Sequence, residues 1–372
     1  MLKNSRSVSP IMKISTRLTI IFTTLFISLS AYAEPYLAVR TGLKCMTCHV
    51  NPSGGGKRTV FGNVYAQNSM SATKLLDNDQ GWYGRINDYL AFGGDLRMNA
   101  NLTRVPDQSN TSEFKLDETL LYFEGNIIPG RVTFYFDERV APGSALNRES
   151  YALLWTKNRN AYLKAGRFFL ASGYRIEDDA AFIRQVTGVN YNSSDTGIEA
   201  GIETTSWSIS LSVTNGSNGG TETNNEKQFL FRTEYVQPSW RLGFGVNHNS
   251  GDEGKDRTIA NVFSGFKLWD IDWLGEIDFI DDQSGSQDIK QAIYYLEANH
   301  EYTKGHNLKL SLEYFDPNTD IDENHQTRTS FVWEYSPFEH TQLRSGLRLY
   351  DGIPQNNAQN RDEYFIQLHN YF

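Results

Sequence analysis

The sequence contains very little cysteine and no long apolar run beyond its first few dozen residues. Only two of the 372 residues are cysteine, so no second cysteine pair exists to complete a zinc site. The mean hydropathy of −0.50 excludes a helical membrane bundle, because a spanning helix needs roughly 20 mostly apolar residues. Basic residues are also not in excess. The net charge of −9 argues against nucleic acid as a partner, since phosphate binding needs clustered Lys and Arg.

The N-terminus has the features of an export signal. A basic stretch around Lys13 and Arg17 is followed by an apolar run and by an A-x-A cleavage site that ends at Ala33. A retained anchor is disfavoured because the apolar run is short. We predict that residues 1–33 are a signal peptide, and the pattern also fits a translation start at Met12.

Both cysteines belong to one motif, Cys45-Met46-Thr47-Cys48-His49. C-x-x-C-H is the attachment signature of c-type haem. Two thiols on one turn form thioether bonds to the two porphyrin vinyl groups, and the histidine that follows ligates the iron. A disulfide would give His49 no role, and a thioredoxin-like pair would need a βαβ pattern. We therefore predict one haem c, with Cys45 and Cys48 as attachment sites and His49 as axial ligand.

Further ligand candidates lie in the same predicted haem segment, residues 34–80. Arg40, Lys57 and Arg58 suit the haem propionates, because guanidinium and ammonium groups pair with carboxylates; solvent-facing charges are the alternative. Met70 is the only methionine between the motif and the following region, which makes it a candidate sixth ligand. A water-bound sixth position stays open.

Two features next to the motif bear on how a porphyrin would be held. Residues 51–56 read Asn-Pro-Ser-Gly-Gly-Gly, a composition that predicts a turn and permits close backbone approach. Phe61 and Tyr65 lie four residues apart, so they would share one helical face. They would pack either on the porphyrin or on a surrounding wall.

Residues 82–372 consist of runs of about ten residues with period-two alternation, separated by clusters of turn residues. In one such run Phe134 and Phe136 alternate with Tyr135 and Asp137. A soluble β-sandwich would also alternate. Charges of both signs on the polar face, and aromatic residues near strand ends, favour a transmembrane barrel.

We predict an all-β fold, an outer-membrane barrel of about 16 antiparallel strands. The interruption at residues 171–192 is predicted to be a loop, and the last strand ends at Phe372, as in barrels that the outer-membrane assembly machinery recognises. A barrel of this size leaves an open lumen unless something fills it. The haem segment is the expected plug.

This arrangement resembles the fused monohaem cytochrome–porins, the outer-membrane iron oxidases of Fe(II)-oxidising bacteria. The resemblance is carried by Pro35 to His49, by Pro52, and by Phe61-Gly62. It implies a haem segment inside a barrel of roughly sixteen strands, with electrons passing from extracellular iron to a periplasmic carrier. The run Gly54 to Arg58 and the short barrel differ from the iron oxidases, so the identity of the donor stays open.

The predicted function is electron transfer across the outer membrane through one haem. Its expected partners are outer-membrane lipid, a periplasmic cytochrome or cupredoxin, and an extracellular electron donor or acceptor, with Fe(II) as one donor. The alternative is a passive porin in which the haem segment is a plug or redox sensor. A peroxidase would need a distal acid–base residue that no local motif supplies. Acidic clusters at 177–179, 281–282 and 316–323 would either gather a cation or lie in solvated loops.

Overall fold

The computed structural model of the chain describes residues 34–75, 81–189, 194–251, 255–283, 285 and 288–372. The predicted signal peptide and the last five residues of the predicted haem segment lie outside these ranges. Within the described residues, no helix is long and apolar enough to cross a membrane.

Sixteen strands are present among the described residues, and they account for most of the chain after residue 89. Their bounds are β1 Leu90–Arg104, β2 Thr111–Ile128, β3 Val132–Ala141, β4 Leu146–Trp155, β5 Ala161–Phe169, β6 Ser194–Glu203, β7 Trp207–Thr214, β8 Gln228–Val236, β9 Trp240–Asn249, β10 Arg257–Leu268, β11 Ile271–Asp282, β12 Ile289–Thr303, β13 His306–Asp316, β14 Gln326–Tyr335, β15 Thr341–Asp351 and β16 Asp362–Tyr371.

The strands form one closed antiparallel barrel. Each strand pairs with its neighbours in sequence, and β1 closes the cylinder against β16 in a register that sets Asp95 opposite Tyr371 and Arg104 opposite Asp362. Closure leaves no unpaired strand edge, which is the condition for a sheet to exist in lipid. The predicted fold class and the predicted strand number are confirmed.

Strand residues alternate between an apolar outside and a polar lumen. In β3, Phe134 and Phe136 are 43% and 45% exposed, whereas Tyr135 and Asp137, which alternate with them, are fully buried. Because successive side chains of a strand point to opposite faces, the exposed set faces outward and the buried set faces the lumen. The outward face is therefore the lipid-contacting face.

The two ends of the barrel differ in the length of their connections. At one end the strands are joined by turns of two to five residues, whereas one connection at the other end, between β5 and β6, spans 24 residues. Short turns face the periplasm in bacterial outer-membrane barrels. The short-turn end also carries an aromatic girdle, in which the rings of Trp207, Tyr235 and Trp240 lie 4.8 and 5.6 Å apart.

The lumen is filled from both ends. From the periplasmic end enter three short helices, α1 Pro35–Thr41, α2 Cys45–Cys48 and α3 Val60–Tyr65, followed by a π-helical turn at Ala66–Met70. From the other end enters the β5–β6 connection, which contains α4 Phe182–Gln185. The interruption at residues 171–192 is a loop as predicted in its described part, but it folds inward.

Candidate functional site

The two cysteines lie on a single helical turn. The backbone N–H of His49 donates to the carbonyl oxygen of Cys45 at 3.0 Å and closes α2. Neither thiol forms a disulfide. The C-x-x-C-H motif thus presents two thiols from one turn with an imidazole at its end, which is the arrangement that thioether attachment needs.

A small hairpin follows the motif. The N–H of Val50 donates to the carbonyl of Lys57 at 3.1 Å, and residues 51–56 form the connection. Gly55 and Gly56 have φ of +74° and +63°, and a Cβ on Gly56 would lie 2.3 Å from the hydroxyl oxygen of Tyr135. Only glycine fits such a turn against the barrel wall. The predicted turn is confirmed.

Helix α3 packs directly on the C-x-x-C turn. The Thr59 hydroxyl caps α3 by accepting from the N–H of Gly62, and it donates to the carbonyl of Thr47 at 2.8 Å. A Cβ on Gly62 would lie 2.3 Å from the carbonyl oxygen of Cys48. The absence of a side chain at residue 62 therefore sets the spacing between α3 and the motif.

A cavity lies against the motif. Cys45, Cys48 and His49 of the motif line this cavity. Tyr65 of α3 and Met70 of the π-helical turn line it as well. Most of the exposed lining surface is apolar, although several charged side chains contribute to the wall. Two thiols, an imidazole and a thioether in one largely apolar cavity fit a covalently bound haem.

The titratable groups of the motif are shifted by burial. Burial, with Arg58 and Arg175 nearby, lowers the pKa of His49 to about 3, so its imidazole is neutral, the form that ligates metal. Burial, followed by the neighbouring Cys45 thiol, raises the pKa of Cys48 to about 11. A thioredoxin-like pair has a lowered thiol pKa, so this environment does not favour dithiol redox chemistry.

The predicted propionate partners separate into two groups. Arg58 lines the cavity, with its guanidinium over the Tyr371 ring at 4.3 Å. Arg40 and Lys57 are not among the residues that line the cavity. They form ion pairs with barrel carboxylates, Arg40 with Asp272 at 2.7 Å and Lys57 with Glu124 at 3.0 Å.

Sequence reasoning missed three arginines that line the cavity from other parts of the chain, namely Arg175, Arg232 and Arg241. Arg232 and Arg241 both pair with Glu234 at 3.1 Å. No sequence signal brings these residues to the motif, because they lie more than 100 residues away; the inward loop brings Arg175 to it, and barrel closure brings Arg232 and Arg241.

The two candidate aromatic residues of α3 also separate. Tyr65 lines the cavity, whereas Phe61 does not and is 47% exposed. Their rings stack at a centroid distance of 6.4 Å. The shared helical face is confirmed, and Tyr65 is the member of the pair that faces the cavity.

Ion pairs hold the haem segment to the barrel wall. Besides the pairs of Arg40 and Lys57, Lys44 reaches Glu203 at 2.9 Å and Lys309 reaches Glu34 at 3.0 Å. At the end of the segment, the N–H of Ala72 donates to the carbonyl of Ser336, in a short periplasmic turn, at 2.8 Å. The described haem segment is therefore a plug in the periplasmic half of the lumen.

The inward β5–β6 loop covers the cavity on the extracellular side. Arg175 donates to the carbonyl of Gly54 at 2.6 Å, which ties the loop to the haem segment. Asp178 pairs with Arg328 at 2.8 Å and with Arg348 at 2.9 Å. Beyond the loop lies a polar vestibule of about 1160 Å³.

The acidic clusters do not converge on a metal site. Among the described residues, no group of three or more His, Cys, Asp or Glu side chains is arranged to hold a metal ion. Glu177 and Asp178 instead pair with lumen arginines, Glu177 with Arg97 at 2.9 Å.

Comparison with known proteins tests the fold. No protein-family model and no curated protein sequence matches the chain. An anion-selective porin from Comamonas acidovorans is similar with a TM-score of 0.60 and 12% identity, over 76% of this chain and 99% of that one. OprB of Pseudomonas putida gives 0.58 and 9%, over 77% and 94%. The outer membrane channel DcaP of Acinetobacter baumannii gives 0.55 and 12%, over 76% and 97%.

The fold is that of the outer-membrane porins. The closed barrel with its lipid-facing apolar surface and aromatic girdle belongs in the outer membrane. The porin fold alone does not imply the plug that residues 34–75 form in the lumen.

Proposed function

We propose that this protein transfers electrons across the outer membrane through one haem c bound at Cys45 and Cys48. His49 is the proposed axial ligand, and Met70, which lines the same cavity, is the candidate sixth ligand. When bound, a haem supplies a one-electron centre whose potential depends on its axial ligands and burial. The function class and the cofactor rest on the sequence motif and on the cavity.

The observation that carries the proposal is that the inward β5–β6 loop lines both the cavity and the outer vestibule. Gly173, Tyr174 and Arg175 line the cavity, and Glu177 to Ala180 of the same loop line the outer vestibule. Arg175 and Glu177 are two residues apart, so an extended chain separates them by at most about 7 Å. A redox centre in the cavity would lie within a few residues of a water-accessible outer space.

The residues around the cavity have two tasks in this proposal. The loop and the plug would limit the access of solvent to a bound haem and would thereby influence its redox potential. Arg58 and Arg175 place positive charge at the wall, where it would hold the propionate groups of the porphyrin. Fe(II) is one candidate donor, and the periplasmic acceptor is a soluble cytochrome or cupredoxin.

The second candidate function is a passive porin whose N-terminal segment is a plug or redox sensor. The similarity to porins and channels supports this alternative more directly than it supports electron transfer. The two functions differ in one respect that can be measured. A conduit passes electrons from an impermeant external donor, and a plugged porin does not.

The test uses mature protein reconstituted into liposomes that contain a trapped electron acceptor. External Fe(II), and then a second impermeant reductant, is added while the haem Soret band and the trapped acceptor are monitored. Reduction of the trapped acceptor is expected for the wild type and is expected to be absent for Cys48→Ala. Protein without covalently bound haem would refute the cofactor. Bound haem that no impermeant donor reduces would leave the plug or sensor.

A further inference from the structure

An exposed apolar patch lies on the periplasmic side of the cavity. Helix α3 has Val60, Phe61 and Val64 on its free face, with exposed fractions of 41%, 47% and 36%. The same helix provides Gly62 and Tyr65 to the cavity wall. The patch formed by Val60, Phe61 and Val64, here called the α3 patch, is thus separated from the cavity by one helix.

Exposed basic residues surround the mouth in which the α3 patch lies. Seven described Lys and Arg side chains are exposed in the short turns, at the strand ends next to them, or in the linker to β1: Lys74, Arg85, Arg131, Lys157, Arg159, Lys267 and Lys304. The exposed acidic side chains among the described residues there are Asp88 and Asp270. Asp77 and Asp79 of the linker lie outside the described residues.

The opposite end of the barrel has the reverse charge. Exposed acidic residues predominate in its described loops and strand ends: Asp107, Glu113, Asp179, Glu226, Asp288, Asp320, Asp322, Glu323 and Asp351. The seven exposed basic residues named above, here called the basic ring, are therefore a local property of the periplasmic mouth, in a protein whose net charge is −9.

The apolar patch and the basic ring adjoin each other. Val60 lines one cleft together with Arg85, Arg159 and residues 129–130 of the β2–β3 turn. An apolar centre within a charged rim is the common composition of a protein–protein interface. Complementary charge on a partner raises the rate of encounter.

We propose that the α3 patch and the basic ring form the docking surface for a soluble periplasmic electron-carrier protein with an acidic rim around an apolar centre. The proposal rests on the electron-transfer function and specifies the partner at the periplasmic mouth. A partner seated on α3 would be separated from the cavity only by that helix. The charge of the ring selects an acidic carrier over a basic one.

The test measures electron transfer from the reduced holoprotein, held in nanodiscs of zwitterionic lipid, to two soluble probes. The probes are oxidised plastocyanin, which is acidic, and oxidised mitochondrial cytochrome c, which is basic. We expect the acidic probe to react faster and its rate to fall as salt increases. The variant Lys157→Glu/Lys304→Glu should slow the acidic probe about tenfold, and Phe61→Ser should slow it without changing the Soret band.

The matched control is Lys255→Glu/Lys290→Glu, which makes the same charge change at exposed lysines of the opposite end and should leave the rate unchanged. Equal, salt-independent rates for both probes would overturn the docking surface. The docking surface would also be overturned if the Lys157→Glu/Lys304→Glu variant lost binding to anionic phospholipid vesicles while its rate with the acidic probe stayed unchanged. A small uncharged quinone separates the two proposals: failure of every oxidant refutes electron transfer itself, whereas reaction with the quinone alone refutes only the docking.

Discussion

At the scale of single residues, glycines control how closely the haem segment packs around its motif. Gly62 lets α3 contact the backbone of Cys48, and Gly56 lets the hairpin contact Tyr135. At Gly62 the obstacle to a side chain is backbone, which cannot rotate away as a flexible side chain can. The geometry of the C-x-x-C-H motif therefore depends on a residue that touches neither thiol.

We predict that Gly62→Ala displaces α3 from the motif and lowers the yield of covalently bound haem. The added methyl group would lie 2.3 Å from the Cys48 carbonyl oxygen, and overpacking of this kind usually costs about 1–3 kcal/mol. Haem stain intensity per barrel, with the thermal unfolding temperature, measures the effect.

The control for this substitution is Gly275→Ala in β11, where the nearest atom to an added Cβ is 3.7 Å away. It should retain wild-type haem content. Unchanged haem content in Gly62→Ala would mean that α3 does not fix the motif.

At the scale of elements, the inward β5–β6 loop is held by charge as well as by packing. Phe182 packs on Phe315 at a ring distance of 5.6 Å, and its N–H donates to Glu313. Burial alone would raise the pKa of Asp178, but Arg328 and Arg348 hold it well below its ordinary value. A lowered folded pKa means that the ion pairs stabilise the docked loop at every pH above the ordinary value of about 3.9 and weaken below it.

We therefore predict that Asp178→Asn loosens the loop at neutral pH. The change leaves two lumen arginines without their shared carboxylate, and breaking a buried pair usually costs about 3–5 kcal/mol. In planar-bilayer recordings of the barrel without residues 34–75, Asp178→Asn should conduct more than the same barrel with Asp178, and the latter should reach the higher conductance only below about pH 4.

The neighbouring substitution Asp179→Asn is the control, because Asp179 is exposed and forms no ion pair among the described contacts. In the same truncated barrel, its recordings should resemble those of the unsubstituted protein. Identical conductance of the truncated barrel with and without Asp178→Asn would show that packing alone keeps the loop in place.

At the scale of the whole molecule, the bonds that join the strands to one another differ in kind from those that join the plug to the barrel wall. Every strand is hydrogen-bonded to two other strands, whereas the described contacts of the plug with the wall are side-chain ion pairs, isolated hydrogen bonds and packing. The strand cylinder therefore does not need the haem segment to satisfy its backbone.

We predict that mature protein lacking residues 34–75 still forms a β-barrel and conducts ions. Its unfolding temperature should fall, because carboxylates such as Asp272 and Glu203 lose their partners. Far-UV circular dichroism and single-channel conductance provide the measurements.

Full-length Cys48→Ala is the control for that deletion, since it removes an attachment site but keeps the plug. Its conductance should stay low. A truncated barrel that does not conduct would show that the β5–β6 loop closes the lumen by itself.

The sequence alone determined the elements whose signals are local. Period-two alternation, as in Phe134 to Asp137, specifies strand and face together, because side chains of a strand alternate between two environments. The single turn of Cys45 to Cys48, the hairpin turn at residues 51–56 and the loop after β5 were likewise readable, since each depends on neighbouring residues.

Only the tertiary structure decided which distant residues meet. Ile176, Phe182 and Ile183 of the β5–β6 loop are buried, but alternation cannot tell an inward loop from an outward one. Arg175 reached the haem segment because that loop folds into the lumen, and Arg232 and Arg241 reached it because the strands close into a cylinder. Arg40 and Lys57 instead form ion pairs with carboxylates of the barrel. Partners of a charge are chosen by three-dimensional proximity, which a linear pattern does not contain.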